Sequence, residues 1–218
     1  RVLAWLANEE WVLEEFRGQG KIYEATASRM FHIPQESIVK GNPNYEYRQK
    51  GKQATLSCGY GGGVGALKAM GAKMPEEEMQ PLVDAWRAAN PNIVAFWNAL
   101  DRAARAIIRR KTSARIGKVA LYWQDDKMFM RLPSGRNLCY QSPHFTENRF
   151  GSDAIGYYAP NATGQMVVQE TFGGKLAENA TQAIARDILA HALLTLEKNG
   201  YPVIFHVHDE ACARKRLY

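Results

Sequence analysis

The spacing of apolar residues changes period along this chain, and that change limits the fold more than any single motif. From residue 2 to residue 111 the apolar positions recur at helical intervals. Val2, Leu3, Trp5, Leu6, Val12, Leu13 and Phe16 predict one amphipathic helix over 2–17, stopped near Gly18 and Gly20. A second helix is expected over about 21–31, followed by a connector carrying Pro34. Asn42-Pro43-Asn44 is a helix-start signal, because an Asn side chain accepts from the free N–H groups of a first turn. The helix it opens runs from about Tyr45 to Cys58 and ends in glycines. Met74-Pro75-Glu76-Glu77-Glu78 opens another, which stops at Asn90-Pro91, and this pair is expected to cap a helix reaching Lys111. The period then shortens. Residues 119–123, 128–132 and 137–140 read as three short strands, and 141–156 as an irregular loop. A long helix from about Gln165 or Gly174 to Asn199 points Leu176, Ala180, Ile184, Ile188 and Leu189 inward, and 203–207 forms a last strand. Runs of helices beside runs of strands predict an α+β fold.

Composition agrees with a packed domain. Of the 218 residues, 46% are hydrophobic and 23% charged, ordinary values for a globular protein. A disordered acidic tail, a collagen-like fibre and a disulfide-dense miniprotein are excluded. No apolar stretch approaches the roughly 18 residues needed to span a bilayer, so no transmembrane helix is expected. The net charge of +6 suits a polyanionic partner. Cys58, Cys139 and Cys212 are odd in number, far apart and free of any CxxC spacing, which favours reduced thiols in a cytosol-like compartment. The chain starts at Arg1 with a helical pattern already running and stops soon after a strand, so a fragment cut at both ends is expected.

Three groupings of residues suit chemistry. Arg48 and Lys52 lie one helical turn apart on one face, and Tyr60-Gly61 follows at the helix end. Two cations so placed suit a polyphosphate, and a flat ring beside glycine lets a base approach closely; a solvated basic face with a glycine C-cap is the plain alternative. Asp209 and Glu210 follow directly after an apolar strand. Paired carboxylates there suit a hard cation such as Mg²⁺, His206 and His208 on one strand face suit zinc, and a solvated strand-to-turn junction needs neither. Asn179, Gln182 and Arg186 share one face of the long helix, where amides suit base edges or sugars, although the pattern alone favours an ordinary exposed face. The cluster Arg102, Arg105, Arg109, Arg110, Lys111, Arg115 and Lys118 reads as solvated surface, and Trp86 and Trp97 as core.

In this order the motifs resemble the polymerase core of family A DNA polymerases, in the bacteriophage-like branch. Arg48-x3-Lys52-x7-Tyr60-Gly61 is similar to motif B, His208-Asp209-Glu210 to motif C, and Arg1-Val2-Leu3-Ala4 to the tail of motif A. Gln182 and Asp187 match the palm helix beside the duplex, and Leu132-Pro133-Ser134-Gly135-Arg136 a hairpin between these regions. The resemblance implies helical fingers over 21–155 and a palm, with a small antiparallel sheet, split between 1–20 and 156–218. It implies template-directed DNA synthesis from dNTPs on a primed template by a two-metal Mg²⁺ mechanism, in a monomer in the cytoplasm of a bacterial or phage-infected cell. The implied metal ligands are Asp209 and Glu210, and the catalytic groups these two with Lys52. Arg48, Lys52, Tyr60 and Gly61 would bind nucleotide; Gln182, Asn179 and His208 would touch DNA. The resemblance also implies departures. The motif A Asp and the Glu that rejects ribonucleotides would precede Arg1, so the chain is expected to be an incomplete and inactive core. Neither a thumb nor a proofreading domain would precede it, and the palm's last segment would lie beyond Tyr218. Leu56 stands where the family often has an aromatic residue, and Tyr23 where it often has His. The competing classes are a non-catalytic basic nucleic-acid-binding module and a zinc hydrolase using His206 and His208.

Overall fold

A computed structural model describes residues 1–148 and 151–214. Its helices are α1 (Val2–Ala7), α2 (Glu10–Arg17), α3 (Ile22–Phe31), α4 (Glu46–Cys58), α5 (Val64–Ala69), α6 (Glu76–Ala89), α7 (Pro91–Arg110) and α8 (Gly173–Lys198). Its strands are β1 (Ser113–Ile116), β2 (Val119–Gln124), β3 (Lys127–Arg131), β4 (Asn137–Glu147), β5 (Asp153–Pro160), β6 (Met166–Thr171), β7 (Val203–Val207) and β8 (Glu210–Ala213). The fold is α+β, as the shift of period predicts.

β1 to β6 form one antiparallel meander in chain order, and β7 and β8 a separate hairpin. The meander's inner face is set by alternation: Val119 and Leu121 on β2, Met128 and Met130 on β3 and Tyr140 on β4 are buried. Cross-strand neighbours Leu121–Met130 and Met128–Tyr140 keep these side chains on one side. They pack with Ala104, Ile107 and Ile108 of α7 and with Leu176, Ala180 and Ile184 of α8 in a continuous core. Trp86 and Trp97 are buried as expected, with rings stacked at 5.9 Å and 7°. Full burial of side chains of this size contributes about 1.5–3 kcal/mol each.

Several expectations are corrected. The single helix over 2–17 is two helices, because Asn8 turns to φ 57° and Glu9 is drawn inward to 3% exposure. Asn90 holds the N-cap position of α7, with Pro91 first in the helix, but its side chain makes no cap bond; its amide donates to the Trp86 carbonyl at 2.9 Å. The Glu9 carboxylate caps α7 instead, accepting from the Asn92 and Ile93 N–H groups at 2.9 and 3.2 Å. Most of the expected loop over 141–156 is strand, in β4 and β5, and β6 occupies the residues from which the long helix was allowed to start at Gln165. Ile188, expected inward, is 57% exposed. All three cysteines are free thiols; Cys58 is buried, which pushes its thiol up to about 11, and Cys139 and Cys212 are exposed. No helix among the described residues is long and apolar enough to cross a membrane.

Candidate nucleotide and nucleic-acid site

The cations of α4 converge because α3 and α4 touch backbone to backbone. A Cβ on Gly51 would lie 2.3 Å from the Tyr23 carbonyl oxygen, so only glycine allows this approach. It brings Tyr23 and Glu24 against the face carrying Arg48 and Lys52. The Arg48 Cζ lies 5.6 Å and the Lys52 Nζ 6.0 Å from the Tyr23 ring centroid. Arg48 Nε donates to Glu24 Oε1 at 2.7 Å, and that bond pushes the guanidinium pKa further up, so the charge is permanent. Among the described residues Lys52 makes no ion pair. A cavity of about 250 Å³ opens beside this face, lined by Arg1, Tyr23, Thr55, Leu56 and Gly59 among others. Position 56 lines it with an exposed aliphatic side chain. Glu24 and the stacking role of Tyr23 were not legible from spacing, since they lie more than twenty residues from Arg48.

Tyr60 and Gly61 sit where the end of α4 meets the start of α8. A Cβ on Gly174 would fall 2.1 Å from the Tyr60 carbonyl oxygen, and one on Gly173 2.0 Å from that of Trp97. Gly61 takes φ +80°, and its Cα faces Phe172 and Gly174. Burial raises the Tyr60 phenol pKa, with the Thr181 side chain pulling against it. Tyr60 and Gly61 are therefore fixed onto α8, which also carries Asn179 and Gln182.

The two amides differ in their freedom. Asn179 Nδ2 donates to the Tyr140 hydroxyl at 3.1 Å, and Tyr140 is buried, so this amide braces α8 against β4. Gln182 is exposed and donates to Glu178 Oε1 on its own helix at 3.0 Å. Further along, Asp187 is held by the Pro133–Arg136 turn: Ser134 Oγ donates to Oδ2 at 2.6 Å and Arg136 Nε to Oδ1 at 2.7 Å.

Asp209 and Glu210 lie at the tip of the β7–β8 hairpin. Val207 pairs with Glu210, so His208 and Asp209 are the two turn residues, and His208 takes φ 51°. The side chains of His208, Asp209 and Glu210 are exposed and make no hydrogen bond or ion pair among the described residues. Two adjacent, unengaged oxygen donors are suited to a hard cation. The described residues bring no group of three or more His, Cys, Asp or Glu side chains together, so His206 and His208 gain no further zinc-type ligand among them. The structure thus joins Arg48 with Lys52, and Tyr60-Gly61 with α8. It leaves the carboxylate hairpin beyond the end of α8, exposed along most of β7 and β8 and without a direct bond to those cations.

Fold and site together define an α+β protein with paired cations on one helix, a glycine-fixed tyrosine at its end and paired carboxylates on a hairpin. No protein-family model matches the chain. It is similar to the DNA polymerase of Bacillus phage SP02, at 47% identity over 216 residues, which cover 97% of this chain and 33% of that protein. The chain spans about a third of the length of that curated relative.

Proposed function

We propose that this chain is the nucleotide-binding and primer-positioning part of a template-directed DNA polymerase of family A. The observation that carries this reading is the 47% identity, sustained over 97% of the chain, to a protein named DNA polymerase. The convergence of Arg48 and Lys52 on Tyr23 supports it, because two cations beside an open cavity suit a triphosphate.

In this reading Arg48 and Lys52 hold the phosphates of an incoming dNTP. Arg48 leaves Glu24 to do so, and Lys52 donates a proton as pyrophosphate departs. Tyr60 offers its ring to the nascent base pair, and Gly61 leaves room for the template base. Gln182 reaches the duplex minor groove, with Asn179 steadying that face through Tyr140. His208 approaches the primer end. Asp209 and Glu210 would hold Mg²⁺, and the exposed, unengaged carboxylates fit that role. When bound, the metal would lower the pKa of the primer 3′-hydroxyl and neutralise the leaving group. The described residues supply no third carboxylate at this hairpin, and a full two-metal site would need one. The division into fingers (21–155) and palm (1–20 and 156–218) belongs to the same reading, as do the primed template and dNTP as partners.

The test is primer extension with Mg²⁺ and four dNTPs, comparing this chain with a version extended upstream through motif A and the thumb. Extension by the long form alone is the expected result. Lys52→Ala in the long form should lower the rate by on the order of 10²–10³. A long form with intact motifs that never extends a primer overturns the assignment, as does a Lys52→Ala variant that extends at the parent rate.

A further inference from the structure

The cations of α4, Arg48, Lys50 and Lys52, are held in two different ways. Arg48 has both a ring and a carboxylate: its Cζ lies 5.6 Å from the Tyr23 centroid, and its Nε donates to Glu24 Oε1 at 2.7 Å. Lys50 is held likewise, with its Nζ 5.9 Å from the Tyr47 centroid and donating to Glu78 Oε2 at 3.1 Å. Lys52 has a ring alone. Its Nζ lies 6.0 Å from the Tyr23 centroid, and among the described residues it makes no ion pair and no hydrogen bond. The two kinds of hold differ electrostatically. A carboxylate that fixes a cation also offsets its charge. The face of a neutral ring attracts a cation through its quadrupole and leaves the net charge whole.

The ring that holds Lys52 is itself fixed. Tyr23 stands in the first turn of α3, half-buried, and lines the cavity beside the two cations. Its backbone carbonyl is pressed against Gly51, the residue before Lys52, at the contact that excludes any Cβ. α3 therefore cannot slide along α4 without a clash, and the ring keeps its place relative to the lysine. The Tyr23 hydroxyl makes no hydrogen bond among the described residues. What Tyr23 offers the cations is its ring face.

We propose that Tyr23 is a positioning residue, whose ring holds the Lys52 ammonium in place at full charge for a polyphosphate. It acts through Lys52, by its ring and not by its hydroxyl. A lysine stem is long and flexible, and ordering it in advance removes part of the cost of ordering it when the ligand arrives. Arg48 depends less on the ring, because Glu24 holds it as well. That the polyphosphate is the triphosphate of a dNTP, and that Lys52 then gives up a proton, rests on the proposed function; the hold of the ring on the ammonium does not.

The test takes the 218-residue chain and inorganic tripolyphosphate, with binding read by titration calorimetry at low salt. Tyr23→Leu removes the ring and should weaken binding about two- to fivefold. Tyr23→Phe keeps the ring and should restore the parent affinity. In a Lys52→Ala background Tyr23→Leu should add little further loss, because the ring then has no ammonium to hold. A defect of helix packing alone would cost the same with or without Lys52. In the upstream-extended form, Tyr23→Leu should lower kcat by about tenfold, since a displaced proton donor slows the chemical step, and should raise KM for dNTP by no more than about fivefold. Equal losses in Tyr23→Phe and Tyr23→Leu overturn the proposal, because the hydroxyl would then be the contact. An undiminished loss in the Lys52→Ala background overturns it too, as does a parent chain that binds no tripolyphosphate. If the extended form copies a template while Tyr23→Leu binds tripolyphosphate like the parent, the positioning role fails alone. If no form extends a primer but the Tyr23→Leu loss depends on Lys52, the role stands without the polymerase reading.

Discussion

Arg136 and Asp187, fifty-one residues apart, are joined by a 2.7 Å hydrogen bond from guanidinium Nε to carboxylate Oδ1. The same guanidinium donates to the Ala183 carbonyl at 2.8 Å, so the turn between β3 and β4 is riveted to the middle of α8. Burial pushes the Asp187 pKa up, but the Ser134 hydroxyl and Arg136 together hold it below the usual carboxylate range. A depressed folded pKa gives stability that is present above the unfolded value, near 3.9, and is lost as pH falls through the folded value. Because Arg136 is 45% exposed, Asp187→Asn should cost only about 1 kcal/mol at pH 7. That corresponds to a Tm lower by roughly 2–4 °C for a chain of this size. Scanning calorimetry should show the difference shrinking in the acid range below pH 3.9; a gap of constant size would mean the ion pair is not its source.

Glu9 predicts the opposite pH sign. Its burial raises the pKa more than the two α7 N–H groups and the charge of Arg29 lower it. A raised folded pKa contributes stability that is fully present below the unfolded value, near 4.3, and declines as pH rises through the folded one. Glu9→Gln cannot ionise, so its Tm profile should be flatter than the parent's over that interval, with the two curves parting as pH rises. Glu9→Ala leaves the Asn92 and Ile93 donors unpaired and should cost about 1–3 kcal/mol at any pH. Parallel profiles for Glu9→Gln and the parent would show that Glu9 does not titrate with folding.

The legible and illegible parts of this fold divide by range of interaction. α3, α4, α6 and α7 could be read because their apolar positions keep one period and their starts carry Asn, Pro or acidic residues. The break at Asn8-Glu9 was hidden because two polar residues fit the outer face of an amphipathic helix. Only the distant α7 N-terminus explains why Glu9 turns inward. β5 was hidden because Asp153 and Gly156 make its segment read like a loop, and β6 because Asn161 and Gly164 precede it while its Met166 and Val168 stay exposed. At the site, the Arg48–Lys52 pair was visible as a spacing of four. The partner Glu24, the Gly51 contact and the Tyr60–Gly174 contact arise from tertiary approach and leave no local period.

The Tyr60–Gly174 contact makes a steric prediction. Gly174→Ala would drive a methyl to within 2.1 Å of the Tyr60 carbonyl oxygen and 2.7 Å of the Phe172 ring. Neither a backbone carbonyl nor the helix start can move independently, so overpacking should cost about 1–3 kcal/mol. Gly65, inside α5, faces open space, and Gly65→Ala should be neutral or stabilising by up to about 1 kcal/mol. Thermal melts of the two variants side by side check the geometry. A harmless Gly174→Ala would mean that α4 and α8 are not in contact here.

Glu24 and Arg48 give the prediction closest to chemistry, and it rests on the proposed function. Both side chains are shielded, at 14% and 34% exposure, and their 2.7 Å bond occupies the Arg48 Nε and offsets part of the charge that a phosphate would meet. Glu24 therefore competes with the nucleotide for the same guanidinium. A pair of this kind is worth about 0.5–1 kcal/mol, which corresponds to roughly a two- to fivefold change in affinity. Glu24→Gln should tighten dNTP binding by that factor, read by fluorescence with a labelled dNTP, while lowering Tm by a few degrees. Arg48→Ala should weaken binding and abolish any benefit of Glu24→Gln in the double variant, since the gain acts only through the freed guanidinium. If Glu24→Gln weakens binding instead, Glu24 orients Arg48 for the phosphate and does not compete with it.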